Sequence, residues 1–518
     1  MDLGKLFDFT VNRFPDKTAI VQDDRRLSYK EFQLEINKLA YSLQKLGIEK
    51  GDRVVIILKN RLEMVAIYWA VQKIGAIFTP INFRLSTDEV AFCVNNADAK
   101  AVIFEPSSQD AALNASYASK PLFISVLGAE GAEITYKELL NHNQETFHHP
   151  NIDMDDICLM LYTSGTTGKP KGVPRSHKNE YSAAIAHIIQ NQYVLHESTL
   201  GVMPLYHTMG MRSLLSMAFI NGKMVMIPDN NTMKMLKVME DEKISCVYLV
   251  PTIIHDLLNH KDFNRYNLRN VRKIGYAGAS MTTELTEDCF RKLKPDVFVN
   301  HYGSTEVYTF SICNYLDKKP GCAGKAGFHQ QLKIVEPDPE GSSGPADIVP
   351  HGTPGEIIVN IDSLEAFKGY WKRPDANIKS IRNGWYFTGD MGVLDEDGDL
   401  YVVGRVDDMI ISGGENIHPL EVEDVLSSHP EVLEAAVVGL PDERFGEKVV
   451  AFIVSKSPTI STAELDNYCR ESGSLANFKR PRDYCFIKEI PKSPVGKILR
   501  RKLKENYSSI IQKEESVG

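Results

Sequence analysis

Residues 157–172 read Ile157-Cys158-Leu159-Met160-Leu161-Tyr162-Thr163-Ser164-Gly165-Thr166-Thr167-Gly168-Lys169-Pro170-Lys171-Gly172. The first five form a continuous apolar run, which predicts a buried strand. The next eleven hold three glycines, five hydroxyls and two lysines. A glycine-rich loop leaving a strand can turn its backbone N–H groups inward as an anion nest. The hydroxyls add donors and Lys171 adds a point charge, so the stretch suits a polyphosphate. It is not the Gly-x-x-x-x-Gly-Lys-Ser/Thr spacing of a P-loop. The competing reading is a flexible Gly/Ser/Thr linker.

Outward from this loop, the chain keeps an α/β rhythm. Phe32, Ile36, Leu39, Ala40, Leu43 and Leu46 fall at helical spacing, Val54 to Leu58 is an apolar strand, and Met64 to Ile74 is helical again before Gly75. Later, Cys246–Val250 ends at Pro251, Lys273–Ala277 ends at Gly278-Ala279-Ser280, and Val297–Asn300 ends at His301-Tyr302-Gly303. Such a rhythm predicts covered, largely parallel strands. Ligands of open α/β sheets collect beyond the carboxyl ends of strands. Three ends carrying small or polar residues therefore predict a shared cleft. After about residue 340 the texture shifts to short strands and turns. Strands at 434–438 and 449–454 and helices at 462–472 and 497–506 predict a small α+β domain of about 110 residues. The expected division is 1–406 for a large N-terminal domain of layered α/β subdomains and 407–518 for a small mobile α+β C-terminal domain.

A chain of 518 residues is too long for one core. Its 43% hydrophobic and 25% charged residues are those of an ordinary globular protein. A net charge of −9 argues against a general nucleic-acid binder. The eight cysteines form no CxxC pair and no zinc spacing, and read as reduced core residues of a cytoplasmic protein. The N-terminus lacks the shape of a signal peptide. No apolar run approaches the roughly 20 residues that span a bilayer, so no integral membrane association is expected.

Further motifs follow the loop in order: Met203-Pro204-Leu205-Tyr206-His207, Tyr302-Gly303-Ser304-Thr305-Glu306, Trp385-Tyr386-Phe387-Thr388-Gly389-Asp390, Gly404-Arg405-Val406-Asp407-Asp408 and Pro494-Val495-Gly496-Lys497. With Thr163–Gly168 and the Lys171-Gly172 pair, these resemble the adenylate-forming enzymes: acyl- and aryl-CoA synthetases, luciferases and peptide-synthetase adenylation domains. The likeness covers nearly the whole chain. Gly404 to Pro419, His207 and Phe478-Lys479-Arg480-Pro481 look most like the 4-chlorobenzoate:CoA ligases. Here Phe445 stands where those enzymes have tryptophan, and Arg482 where they have lysine.

The resemblance implies ATP, Mg²⁺ and coenzyme A as cofactors and a small-molecule carboxylate as substrate, and it leaves a homodimer open. Thr163, Ser164, Gly165, Thr166, Thr167, Gly168 and Lys171 would hold the phosphates. Gly278, Ala279, Ser280, Tyr302, Gly303 and Ser304 would border the nucleotide, with Tyr302 on the adenine face. Thr305 would add a hydroxyl, and Glu306 would hold the magnesium ion. Asp390 would accept the ribose hydroxyls, and Arg405 would reach ribose or phosphate. Lys497 would bridge carboxylate, ribose and α-phosphate during adenylation, and Asp407 would be the hinge between two poses of the small domain. Gly413 and Gly414 would face the pantetheine arm, while Phe445, Phe478, Arg480 and Arg482 would hold the CoA nucleotide. The plainer readings are a core tyrosine for Tyr302, a satisfied core histidine for His207 and a charged surface turn for 478–482.

The acyl pocket implied by the same likeness comprises His207, Thr208, Met209, Tyr248, His301 and Tyr308. Thr208, His301 and Tyr308 stand where the chlorobenzoate enzymes look apolar. The expected acid is therefore aromatic or short and polar, with His301 donating to a substrate oxygen. The readings kept alongside are an enzyme that loads a carrier protein, a short- or medium-chain fatty acyl-CoA synthetase, and a non-catalytic nucleotide-binding scaffold. Lys497, Glu306 and Asp390 together speak against the last.

Overall fold

The structure is a computed structural model that describes residues 2–163, 170–337, 343–413, 415–457, 460–472, 475–492 and 498–515. Two parallel-cored sheets dominate. In the seven-stranded sheet, Ile134–Thr135, Leu122–Ser125, Ala99–Phe104, Arg53–Ile57, Ile77–Pro80 and Ile157–Thr163 run parallel in that spatial order. Lys171–Ser176 closes the edge antiparallel, pairing Thr163 with Lys171. The loop quoted above thus joins two adjacent strands, and both of its ends are held in one ladder.

The nine-stranded sheet has six parallel inner strands, in the order Val297–Tyr302, Lys273–Ala277, Cys246–Leu249, Ser198–Gly201, Lys223–Met226 and Thr18–Gln22. Short antiparallel strands cap each edge. The helices between strands bury their apolar faces on these sheets. Leu62–Ile74 is buried along its whole length, which is why it carries no polar stripe. Tyr29–Lys45 keeps a stripe and starts at a Ser28–Glu31 capping box.

A third sheet of five strands, all antiparallel, includes Trp385–Leu394 and Leu400–Arg405. A fourth, after residue 409, pairs the long strands Val432–Asp442 and Gly446–Ser455 and adds Ile410–Ser412, Glu415–Ile417 and Asp483–Phe486. The final helix begins at Arg500, not at 497 as its amphipathic spacing suggests. Arg500 is pinned there. Its guanidinium donates to both oxygens of Glu423 at 2.6 and 2.7 Å and to the Val437 carbonyl at 3.2 Å. All eight cysteines are free and buried. No helix among the described residues is long and apolar enough to cross a membrane.

Candidate active site

The strand Val297–Tyr302 delivers Tyr302 to its carboxyl end, followed by the turn 303–306. Gly303 is required there, because a Cβ would overlap the carbonyl of Tyr308. The Tyr302 hydroxyl donates to Asp390 Oδ2 at 2.7 Å, and Arg405 Nη1 donates to Asp390 Oδ1 at 2.6 Å. Asp390 and Arg405 are cross-strand partners, so the third sheet sets this pair. Burial, and then the Asp390 carboxylate, push the Tyr302 hydroxyl well above its ordinary value. Burial works against the Arg405 charge, but Asp390, Tyr302, Asp408 and Asp407 together outweigh it and hold the guanidinium above its ordinary value.

Glu306 is buried, and its Oε1 accepts from the Tyr370 hydroxyl at 2.8 Å. The Lys171 ammonium lies 4.1 Å from the centre of the Tyr370 ring. Burial pushes Lys171 below its ordinary value, while the Glu306 charge works to raise it. A carboxylate, a phenol and an ammonium thus meet where the loop's second strand passes the turn. Thr305 offers its carbonyl to Arg175 at 3.2 Å, and Glu306 offers its own at 3.3 Å. Ser304 Oγ accepts from the Glu306 N–H at 3.2 Å.

Arg175 has no signature in the sequence. It lies on Lys171–Ser176, is fully buried, and pairs with Glu180 in the following helix. Its guanidinium sits 3.6 Å from the centre of the Tyr308 ring. Asn60 is a second unforeseen support. It donates to the carbonyls of Gly201 and Met203 at 3.2 and 2.6 Å, and accepts from the Leu205 N–H at 2.9 Å. That fixes the Met203–His207 segment. His207 then caps the helix Thr208–Phe219, its Nδ1 accepting from the Met209 N–H at 3.5 Å. Gly278 ends its strand beside this helix, close enough that a Cβ would lie 4.0 Å from the Met209 sulfur. Ala279 and Ser280 are exposed beyond it.

Of the residues expected to wall the acyl pocket, Tyr248, His301 and Tyr308 are all buried. Tyr308 departs from the expectation of a polar pocket wall. Its hydroxyl donates to Glu180 at 3.1 Å, and its ring centre lies 3.6 Å from the Arg175 guanidinium and 5.2 Å from that of Arg212. His301 also departs, since its Nε2 is engaged with Asn191 at 3.2 Å. Arg212, one helical turn after Met209, was not anticipated. It is buried and donates to the Tyr248 hydroxyl at 3.3 Å, to Thr309, and to Glu365 at 3.4 Å. An arginine amid Met-Gly-Met-Arg-Ser-Leu-Leu breaks an apolar helix face, and that break was the available signal.

In the small α+β region, Phe445 lies under Arg482, with 4.8 Å from the guanidinium to the ring centre. The Gly413 N–H donates to the Phe445 carbonyl at 2.8 Å. Phe478 is 43% exposed in the turn Asn477–Lys479. Arg480 differs from its expected role as an open phosphate contact, because its guanidinium is paired with Asp466. Asp407 sits in the turn Val406–Asp408 between the third and fourth sheets. Ser164, Gly165, Thr166, Thr167, Gly168, Gly414 and Lys497 lie outside the described residues.

The model of the AMP-binding enzyme family matches residues 7–371, and that of the AMP-binding enzyme C-terminal domain matches 421–497. The chain belongs to this adenylate-forming family. It is an enzyme of the acid–thiol ligase class, with the family's large N-terminal and small C-terminal domains. The 2-succinylbenzoate–CoA ligase of Bacillus cereus (strain Q1) is 32% identical over 496 residues, covering 95% of this chain and 96% of that protein. The long-chain-fatty-acid–CoA ligase FadD13 of Mycobacterium tuberculosis (strain H37Rv) is 32% identical over 495 residues, covering 95% of each. Among solved structures, o-succinylbenzoate CoA synthetase (MenE) from Bacillus subtilis with its acyl-adenylate intermediate matches with TM-score 0.84 and 28% identity. That match covers 96% of this chain and 97% of that one. The same synthetase has also been solved with ATP and magnesium ion.

Proposed function

We propose that the chain is an AMP-forming carboxylic acid:CoA ligase that acts on an aromatic or small polar acid. The observation that carries this reading is the linked set Tyr302–Asp390–Arg405 beside Glu306, Tyr370 and Lys171, at the carboxyl end of a parallel strand. Asp390, an acceptor already oriented by two donors, would exchange them for ribose hydroxyls. Tyr302 would border the adenine. Glu306 offers hard carboxylate oxygen, which fits Mg²⁺, and the ion would offset triphosphate charge there. Lys171 and the 163–168 loop would hold the phosphates.

In the first step an oxygen of the substrate carboxylate attacks the α-phosphorus. The α–β phosphoanhydride bond breaks and pyrophosphate leaves with its electron pair. Lys497 would neutralise the charge that gathers at the α-phosphate. The small domain, 407–518, would then turn about Asp407. The CoA thiolate attacks the acyl carbon, and AMP departs as the acyl–phosphate bond breaks. Arg482 over Phe445, with Phe478 exposed nearby in sequence, supports a nucleotide-bearing thiol over a carrier-protein arm. The buried imidazole of His301 on the acyl side speaks against a chlorobenzoate-like acid. Eight buried free thiols fit a cytoplasmic setting.

The test is a panel of carboxylic acids with ATP and CoA, following AMP, pyrophosphate and thioester. Acid-dependent release of all three is expected. Adenylate that forms but transfers only to a phosphopantetheinyl carrier would overturn the CoA assignment.

A further inference from the structure

Beneath the strand ends lies a cluster that the reaction scheme above does not use. His187 lies on the helix His177–Gln190, and His301 is the penultimate residue of Val297–Tyr302. Their rings are 5.1 Å apart, and each packs on Tyr248, at 4.6 and 5.2 Å. Both histidines are buried, at 0% and 2% exposure. Asn191, also buried, sits between them and sets their chemistry. Its Nδ2 donates to the His187 carbonyl at 2.8 Å, and a carbonyl can only accept, so the amide orientation is fixed. The same Nδ2 lies 3.1 Å from His187 Nδ1, which must therefore be the unprotonated nitrogen. Asn191 Oδ1 lies 3.2 Å from His301 Nε2, which must carry a hydrogen.

Two atoms are left over. His187 Nε2–H is a donor, and His301 Nδ1 is an acceptor, and neither has a hydrogen-bond partner among the described residues. This inverts the sequence expectation for His301, whose open nitrogen accepts. Burial holds both imidazoles far below their ordinary pKa, and the nearby Arg212 charge adds to that, so both are neutral. Glu365 faces Arg212 at 3.4 Å and offsets its charge, leaving only the Arg212 Nε without a partner among the described residues. A second carboxylate would enter this cluster as an unpaired buried anion, which is strongly disfavoured. A hydroxyl both accepts and donates, and so answers both open atoms without charge.

Resting on the acid–CoA ligase reading, we propose that the acid is a monocarboxylate with a distal hydroxyl. That hydroxyl accepts from His187 Nε2–H and donates to His301 Nδ1. His187 is then a specificity-determining residue alongside His301.

The experiment measures kcat/KM of the full-length enzyme with ATP and CoA for matched acids. These are benzoate and its hydroxy isomers, butyrate and 4-hydroxybutyrate, and the dicarboxylates phthalate, isophthalate and succinate. One hydroxylated acid should exceed its unsubstituted partner by about 10- to 100-fold, the range of a buried donor–acceptor pair left unmade. His187→Phe should cut that ratio at least about tenfold. His187→Gln, which can place an amide N–H near the lost Nε2–H, should recover most of it. The melting temperature of His187→Phe without substrate should change little, because the variant removes an unpaired buried donor but also the Nδ1 acceptor of Asn191. A residue that only packs would lower it. His301→Asn, which can keep an acceptor near Nδ1, gives a second variant with the preference retained. Equal loss for all acids in His187→Phe, or a wild-type preference for unsubstituted or dicarboxylic acids, overturns the hydroxyl assignment and leaves the ligase reading standing. Failure of every acid to release AMP overturns the ligase reading itself.

Discussion

On the nucleotide side of the site, polar groups are already engaged. Tyr302 and Arg405 hold Asp390, Tyr370 holds Glu306, and Arg175 holds the turn that carries Glu306. On the acyl side, His187 and His301 each keep a buried nitrogen with no partner among the described residues. The two arrangements differ in what a ligand gains. A nucleotide that displaces existing hydrogen bonds exchanges like for like, and the net gain per bond is small. An acid that answers an unmade donor or acceptor recovers the whole desolvation cost of that group. On the proposed reading, orientation for the chemistry lies at the nucleotide end and selectivity at the acyl end.

The largest expected break in this comparison comes from Lys497→Ala. Adenylation should fall by about 10³-fold or more, as for loss of a transition-state charge partner, while thioester formation from a supplied acyl-adenylate survives. Equal loss in both half-reactions, measured by single turnover, would dismiss the two-pose scheme. Next is Asp390→Ala, which strands Tyr302 and Arg405 together. We expect kcat/KM for ATP to fall by about 10²-fold with the preference among acids unchanged. A changed acid preference would mean that the two ends are not separate.

A smaller effect separates the two arginines of the CoA segment. Arg482→Glu should raise the KM for CoA about tenfold, and less for dephospho-CoA. Arg480→Ala should instead lower stability by about 1 kcal/mol through loss of Asp466, with little change in KM. The reverse pattern, from paired kinetic and thermal measurements, would return Arg480 to the nucleotide.

The smallest effect is in pH. His301 titrates well below its ordinary value when folded, owing first to burial and then to Arg212. Below about pH 6.5 the unfolded chain binds a proton that the folded chain refuses, so stability falls as pH falls. His301→Leu should make that acid arm shallower in melting curves taken from pH 7 to 5, with His187, also held low by burial, keeping part of it. The same arm in the variant would assign the acid sensitivity to other groups, such as His177, pushed down to about 4 by burial.

The fold was largely legible because its strands are apolar runs with sharp ends. Lys273–Ala277 was read to the residue, and Cys246–Leu249 to within one. Each ends where a glycine or proline stops the run. The motifs singled out Tyr302, Asp390 and Arg405, and the fold joins the three by hydrogen bonds. Arg175, Asn60, Arg212 and Asn191 escaped because their roles are set by partners more than a hundred residues away, as with Arg175 and Thr305 or Asn191 and His301. The pairing of Arg480 was missed over a much shorter separation, 14 residues. Asp466, on the helix Thr462–Glu471, is brought to it only by folding. Periodicity marks which face is buried, but it is silent on which polar group waits beneath.

The buried thiols give the molecule a clock. Cys93, Cys158, Cys246, Cys289, Cys313 and Cys322 are closed within the large N-terminal region, and Cys469 and Cys485 within the small one. An alkylating reagent in solvent reaches none of them until the surrounding packing opens. The rates at which the group of six and the group of two become labelled then time the opening of the two regions separately, in one sample, with no probe added to the chain.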